Sequence, residues 1–94
     1  MLSLIPADLS KLSKENLNQE LLRVAIIAEL DAINLYEQMA ALTDDPDIQK
    51  VLYDIAREEK THVGEFETML LRYDAEQVKE NEHAKKEIKE LTGK

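Results

Sequence analysis

The stretch Arg57-Glu58-Glu59-Lys60-Thr61-His62 holds a carboxylate and an imidazole three residues apart, the spacing at which two side chains leave the same face of an α-helix. Glu59 and His62 can therefore offer an oxygen and a nitrogen to one metal ion. An isolated Glu-x-x-His is a weak sign, because an acidic helical chain with two histidines can contain one by chance. Position strengthens it. Glu59 and His62 lie on the apolar stripe of their own segment, and Glu29 falls in the gap of the stripe of the segment before it. Counted from Asp45, in the turn between the two segments, Glu29 lies 16 residues back, Glu59 14 forward and His62 17 forward. An antiparallel hairpin then sets all three at one level, about 24 Å from the turn at 1.5 Å per residue. Burying two carboxylates and an imidazole in an apolar layer costs several kcal/mol unless something compensates, and a divalent or trivalent cation does so with the fewest further residues. The plainer readings pair Glu29 with Arg23 or Arg57 and make His62 a hydrogen-bonded core histidine. The shared level of the three side chains outweighs both.

The elements that must position these residues are helices. Apolar residues make up 44% and charged residues 34% of the 94, with two Gly and two Pro, a profile of helical soluble proteins rather than disordered or strand-rich ones. Ser13 followed by Glu15 is a helix-start signal, and the first helix is expected to run to about Leu42. Its stripe is Leu22, Ile26, Ile33, Tyr36 and Ala40. Thr43-Asp44-Asp45-Pro46-Asp47 reads as a turn, since proline disfavours helix in the residue before it and the aspartates can cap the next helix. The second helix, from about Asp47 to Tyr73, carries Ile48, Leu52, Ile55, Phe66, Met69 and Tyr73 on the stripe that passes through Glu59 and His62, so both face inward. From Asp74, with Gln77 as a capping-box partner, residues 74–94 read as a short C-terminal helix or tail with Val78, Ala84, Ile88 and Leu91 on a narrow stripe and Gly93 as its stop. The whole of 1–94 is expected to be a single domain.

Composition narrows the chemistry further. The chain has no cysteine, which removes disulfides, thiol catalysis and cysteine-held zinc or iron–sulfur sites, so any metal must take N and O ligands. A formal net charge of −8 argues against nucleic acid and is compatible with drawing in cations. No segment approaches the ~18 uninterrupted apolar residues of a membrane span, and MLSLIPADLSKL has no basic leader, so a cytoplasmic location with no membrane partner is expected.

One hairpin supplies one Glu and one Glu-x-x-His. Di-iron four-helix bundles of the ferritin-like class use a Glu from each of two helices and a Glu-x-x-His from each of the other two. This sequence holds half that set. A second copy related by a two-fold axis duplicates every ligand and covers the hairpin's apolar face, which a chain this short needs. The expected architecture is therefore all-α: an antiparallel two-helix hairpin plus a short C-terminal helix, dimerising into a ferritin-like four-helix bundle. Oxygen donors with a minority of imidazole suit Fe or Mn better than copper, while Zn or Ca are possible occupants.

The stretches "AIIAELDAINLYEQM" and "AREEKTHVGEF", joined by a short Asp-rich turn, resemble the encapsulated ferritins, half-length ferritin-like proteins housed in encapsulin compartments. The similarity spans roughly Leu17 to Leu71 together with the "KELTG" ending, and is especially close to the ferritin-like segment fused ahead of the shell domain in some archaeal encapsulins. It implies Glu29, Glu59 and His62 as di-iron ligands at a homodimer interface, ferroxidase activity, assembly of dimers into a higher ring-like homo-oligomer, and an encapsulin shell, associated or fused, as partner and compartment. It also implies Tyr36 as the tyrosine near the metal and Asp31 as a secondary carboxylate on the path by which iron enters, where the family has Glu. A tryptophan on that path in some members is replaced by Leu35. From the residues themselves, Tyr36 reads as a packing residue, Glu37, Glu58 and Glu65 as solvated flanks, His83 as a surface residue, and Met39 and Met69 as core filling.

The expected function is thus that of a ferroxidase: Fe(II) is oxidised by O₂ between two chains and leaves as Fe(III) for mineral stored outside the small protein. A rubrerythrin-like di-iron peroxidase is the neighbouring alternative, though nothing here resembles a Cys-rich rubredoxin partner. From another class comes a non-catalytic helical assembly module of an encapsulin shell, its inward acids binding zinc, calcium or nothing.

Overall fold

The computed structural model describes Ser10 and residues 16–94, so the Pro6 opening and the Ser13/Glu15 helix-start signal lie outside the described residues. Three helices succeed one another: α1 (Leu17–Leu42), α2 (Pro46–Tyr73) and α3 (Ala75–Thr92). There is no strand among the described residues. The architecture is all-α.

α1 and α2 form the antiparallel hairpin. Asn16 stands at the N-cap of α1 and Glu20 in its first turn, where an acid meets the positive end of the helix. The turn is built by Thr43 and Asp45: the Thr43 N–H donates to Met39 O (3.2 Å), closing α1, and the Asp45 Oδ1 accepts from the N–H groups of Asp47 (2.9 Å) and Ile48 (3.1 Å), opening α2 with Pro46 at its first position. Proline suits that position because its missing N–H would have had no helical acceptor there. The Gln49 side chain then donates to Ala40 O (2.9 Å), satisfying one of the carbonyls that the end of α1 leaves free.

The hairpin seam closes tightest over small residues. Ala40 is 0% exposed and Ala56 1%, with Ile33 and Leu70 the other buried apolar side chains. Ile33 and Ala40 belong to the expected α1 stripe. Ala56 and Leu70 lie outside the expected α2 stripe; a lone alanine carries little hydropathic signal, yet it is what lets two helix backbones approach. The rest of both stripes is half-buried, except that Ile48 and Tyr73 at the two ends of α2 are exposed. Met39 is also exposed, at 42%, and so fills no core in a single chain, whereas Met69 is half-buried. The reason is geometric: two helices enclose one seam, and every apolar residue beside that seam faces outward.

At the far end the chain turns through Asp74. Its N–H donates to Leu70 O (3.0 Å), and its carboxylate accepts from the Gln77 N–H (3.0 Å) and from Arg23 Nη2 of α1 (3.2 Å). Gln19 of α1 adds a bond to Tyr73 O (2.8 Å). Asp74 is buried, and its carboxyl is held below the usual carboxylate range, chiefly by the Gln77 N–H and further by Arg23, against the opposing effect of desolvation. The capping box expected with Gln77 is half made: the Asp74 N–H, which the Gln77 side-chain oxygen would accept in a full box, donates to Leu70 O instead, and the Gln77 amide donates onward to Asn81 (2.8 Å).

α3 is a regular helix with no buried residue. It ends at Gly93, whose φ of 75° is the left-handed conformation that costs glycine nothing and lets its N–H reach Lys89 O (2.8 Å). The extents of 46 × 44 × 20 Å show a flat, angular molecule in which α3 stands away from the hairpin. No helix among the described residues is long and apolar enough to cross a membrane.

Candidate metal centre

Glu29 of α1 meets Glu59 and His62 of α2 across the hairpin. The His62 Nδ1 lies 3.3 Å from Glu59 Oε2 and 3.5 Å from Glu29 Oε2, and one ligand atom from each residue falls within 4.8 Å of the other two. The register counted from the turn therefore brings Glu29 level with two side chains from the other arm of the hairpin.

Their burial is unequal. The two glutamates are tucked in, with side chains 20% and 19% exposed, while the imidazole is 47% exposed. The expectation that Glu59 and His62 both face inward therefore holds for Glu59 alone in one chain. Three residues turn a helix through about 300°, so His62 leans from the seam onto the open face beside it. The plainer pairings of Glu29 are not made: Arg23 reaches Gln19 and Asp74, and Arg57 reaches Asp54 and Glu58. Glu29 Oε2 is buried without a hydrogen-bond partner, its 3.5 Å approach to Nδ1 being too long for a good bond.

That orphaned oxygen is the point at which the site's fit to a cation can be judged. A carboxylate oxygen shut from water and from donors is poorly placed unless a positive charge faces it. The Glu29 and Glu59 carboxylates with one imidazole and no thiol form a hard, mixed O/N donor set, which fits a cation such as iron or manganese. A groove of ≈ 300 Å³ opens beside the group, lined by Glu29, His62, Glu65 and Phe66.

The remaining candidates lie around it. Tyr36 is half-buried two turns beyond Glu29 on the same face of α1, about 10 Å along the axis. Asp31, two residues on from Glu29, stands about 200° round the helix and is outside the group. Leu35 is half-buried. Glu37 is paired with Lys60 (3.1 Å) rather than simply solvated, and Glu58 and Glu65 are exposed.

α3 supplies an instructive contrast. Glu80-Asn81-Glu82-His83 is a second Glu-x-x-His, with Nδ1 3.3 Å from Glu80 and Nε2 3.2 Å from Glu87, all three side chains exposed. No carboxylate from another helix joins it among the described residues. The motif alone is common; the facing Glu29 is what distinguishes the copy on α2.

The Rubrerythrin family profile matches residues 20–92. The chain belongs to the rubrerythrin family. Within that family it is similar to proteins tied by name to encapsulins. The ferritin-like-encapsulin shell fusion protein of Pyrococcus furiosus is 55% identical over 96 residues, which take in 99% of this chain and 28% of that protein. The encapsulin nanocompartment cargo protein EncC of Myxococcus xanthus is 39% identical over 67 residues, 71% of this chain and 49% of that protein. This rubrerythrin-family chain thus spans between about a quarter and a half of the length of these curated relatives. The crystal structure of the encapsulated ferritin domain from Pyrococcus furiosus superposes with a TM-score of 0.83 at 55% identity, over 97% of this chain and 91% of that one. The resemblance to encapsulated ferritins is therefore one of sequence and of fold.

Proposed function

We propose that the chain is half of a ferroxidase: two copies pair about a two-fold axis, and Fe(II) held between their Glu29, Glu59 and His62 side chains is oxidised by O₂. The observation that carries this is the convergence of those three residues, with Glu29 Oε2 buried and unpartnered. Iron is here the substrate. The glutamates supply charge and hard oxygen, and His62 supplies one nitrogen. Each of two Fe(II) gives up one electron to dioxygen, which with two protons leaves as hydrogen peroxide. The four carboxylates of the paired site balance the charge of two Fe(II), so the more highly charged Fe(III) pair is under-neutralised and leaves with hydroxide or water-derived ligands.

The same reading takes Tyr36 as a neighbour of the reacting centre and Asp31 as a carboxylate on the way in. Mn, Zn and Ca are competing occupants. It takes 1–94 as one half-ferritin domain with 74–94 as its C-terminal helix, dimers joined into a ring-like homo-oligomer, and a cytoplasmic encapsulin compartment as the place where Fe(III) mineral collects. The names of the relatives, one fused to a shell and one a cargo, support the last point.

The test is oxidation of Fe(II) in air at rising iron-to-chain ratios, beside His62→Ala and Glu59→Ala. A fast phase saturating near one iron per chain and absent from both variants is expected; rates near normal in both variants would sink the proposal. The rubrerythrin match favours one further reading, in which peroxide is the preferred oxidant. Anaerobic Fe(II) oxidation that runs faster with hydrogen peroxide than the aerobic reaction does with O₂ would select it.

A further inference from the structure

His62 turns Nδ1 toward the two carboxylates. A cation held by Glu29, Glu59 and His62 would take the Nδ1 lone pair and so leave the single imidazole hydrogen on Nε2. A ligating histidine ordinarily gives that second N–H to a carboxylate or carbonyl, which fixes its tautomer and aims its ring. Glu65 makes no hydrogen bond or ion pair with His62 in this structure, but a change of its rotamer can bring a carboxylate oxygen toward Nε2, since the two residues are three apart on α2. It lies one turn beyond His62 on α2, lines the same groove as His62, Glu29 and Phe66, and has no ion-pair or hydrogen-bond partner among the described residues.

α3 displays the same arrangement completed. There His83 has Nδ1 against the glutamate three residues before it and Nε2 against a glutamate one turn after it, at 3.3 and 3.2 Å. Glu59-x-x-His62-x-x-Glu65 repeats the order of groups, with the later carboxylate at the third rather than the fourth position. A carboxylate one helical turn on can thus grip the outer nitrogen of a histidine whose inner nitrogen faces a glutamate one turn back.

We propose that Glu65 is a positioning residue that accepts the Nε2 hydrogen of His62 and so holds Nδ1 on the ion, an inference that rests on the metal-centre reading above. Zn(II) serves as the redox-silent probe, its binding to the metal-free protein measured by calorimetry. Glu65→Ala is expected to weaken Zn(II) by 10- to 100-fold, with the circular dichroism unchanged because the side chain is exposed. Glu65→Gln, which keeps an acceptor oxygen and loses the charge, is expected to recover most of that loss. In ¹⁵N-edited spectra of the Zn(II) form, His62 is expected to carry its hydrogen on Nε2, and that hydrogen to exchange faster with solvent in Glu65→Ala. Zn(II) held through His62, as judged by His62→Ala, but equally tightly in wild type and Glu65→Ala overturns the inference and leaves the metal centre standing. Loss as large in Glu65→Gln as in Glu65→Ala also overturns it, since that marks general charge attraction. Zn(II) binding unaffected by His62→Ala removes the metal centre itself, and this inference with it.

Discussion

Glu29 turns an oxygen into the hairpin seam where nothing donates to it, and an unsatisfied buried acceptor of this kind costs about 1–3 kcal/mol. On the proposed metal-centre reading, such a residue trades stability of the metal-free chain for a place to hold charge. Glu29→Leu is accordingly expected to raise the stability of the metal-stripped protein by about 1–3 kcal/mol, read from thermal melts in chelator, while abolishing fast iron oxidation. A lower melting temperature in chelator would mean that the carboxylate is compensated in some other way. His62 shows what could be inferred from sequence at this scale and what could not. Its spacing from Glu59 and its level against Glu29 come from counting, whereas its exposure does not: helical periodicity gives an angle round one helix, and whether that angle is covered depends on how many helices surround it. Glu65 reads as a solvated flank in sequence for the same reason, because only the folded hairpin puts a groove beside it and His62.

At the scale of elements, two short polar switches set the register on which the site depends. Asp45 caps α2, and Asp45→Ala is expected to cost about 1 kcal/mol, seen as an earlier urea midpoint. Asp74 ties the corner between α2 and α3 to Arg23 of α1. Its carboxyl is lowered in the folded chain from the ordinary 3.8, so its stabilising effect is complete above that value and fades as pH falls through the lowered one. Amide exchange in α3 and the first turns of α1 is expected to quicken on acidification below that range, and Asp74→Asn to show quickened exchange already at neutral pH. Equal exchange in the two proteins at neutral pH would show that the corner holds without the charge. The turn was legible in sequence because Pro46 and its aspartates each have one strong local preference. α3 was half legible: Gly93 and Asp74 announce its ends, but none of the residues of its thin apolar stripe is buried, and sequence alone does not separate such a helix from a tail.

Among the described residues the molecule is a hairpin with an uncovered side and a third helix at its end. Val51, 58% exposed, lies three turns before His62 on the same flank of α2. Val51→Glu is expected to leave helicity intact, to shift the protein toward a single chain in analytical ultracentrifugation, and to lose the saturating phase of iron oxidation together with the dimer. Retention of that phase by a single chain would remove the paired-site reading. The net charge of −8 adds a second expectation at this scale. Capture of Fe(II) slows as ionic strength rises, because screening shortens the reach of the acidic field to about 8 Å at 0.15 M.

The half-exposed imidazole at the rim of that uncovered side has a consequence for inheritance. If every working centre borrows half its donors from a neighbour, as proposed, a damaged copy of the gene does more than fail by itself. Chains carrying His62→Ala, made in equal amount beside intact ones and pairing at random, would leave only about one dimer in four with both halves sound. The defect would behave as dominant, and a cell holding both copies would oxidise iron well below half the normal rate.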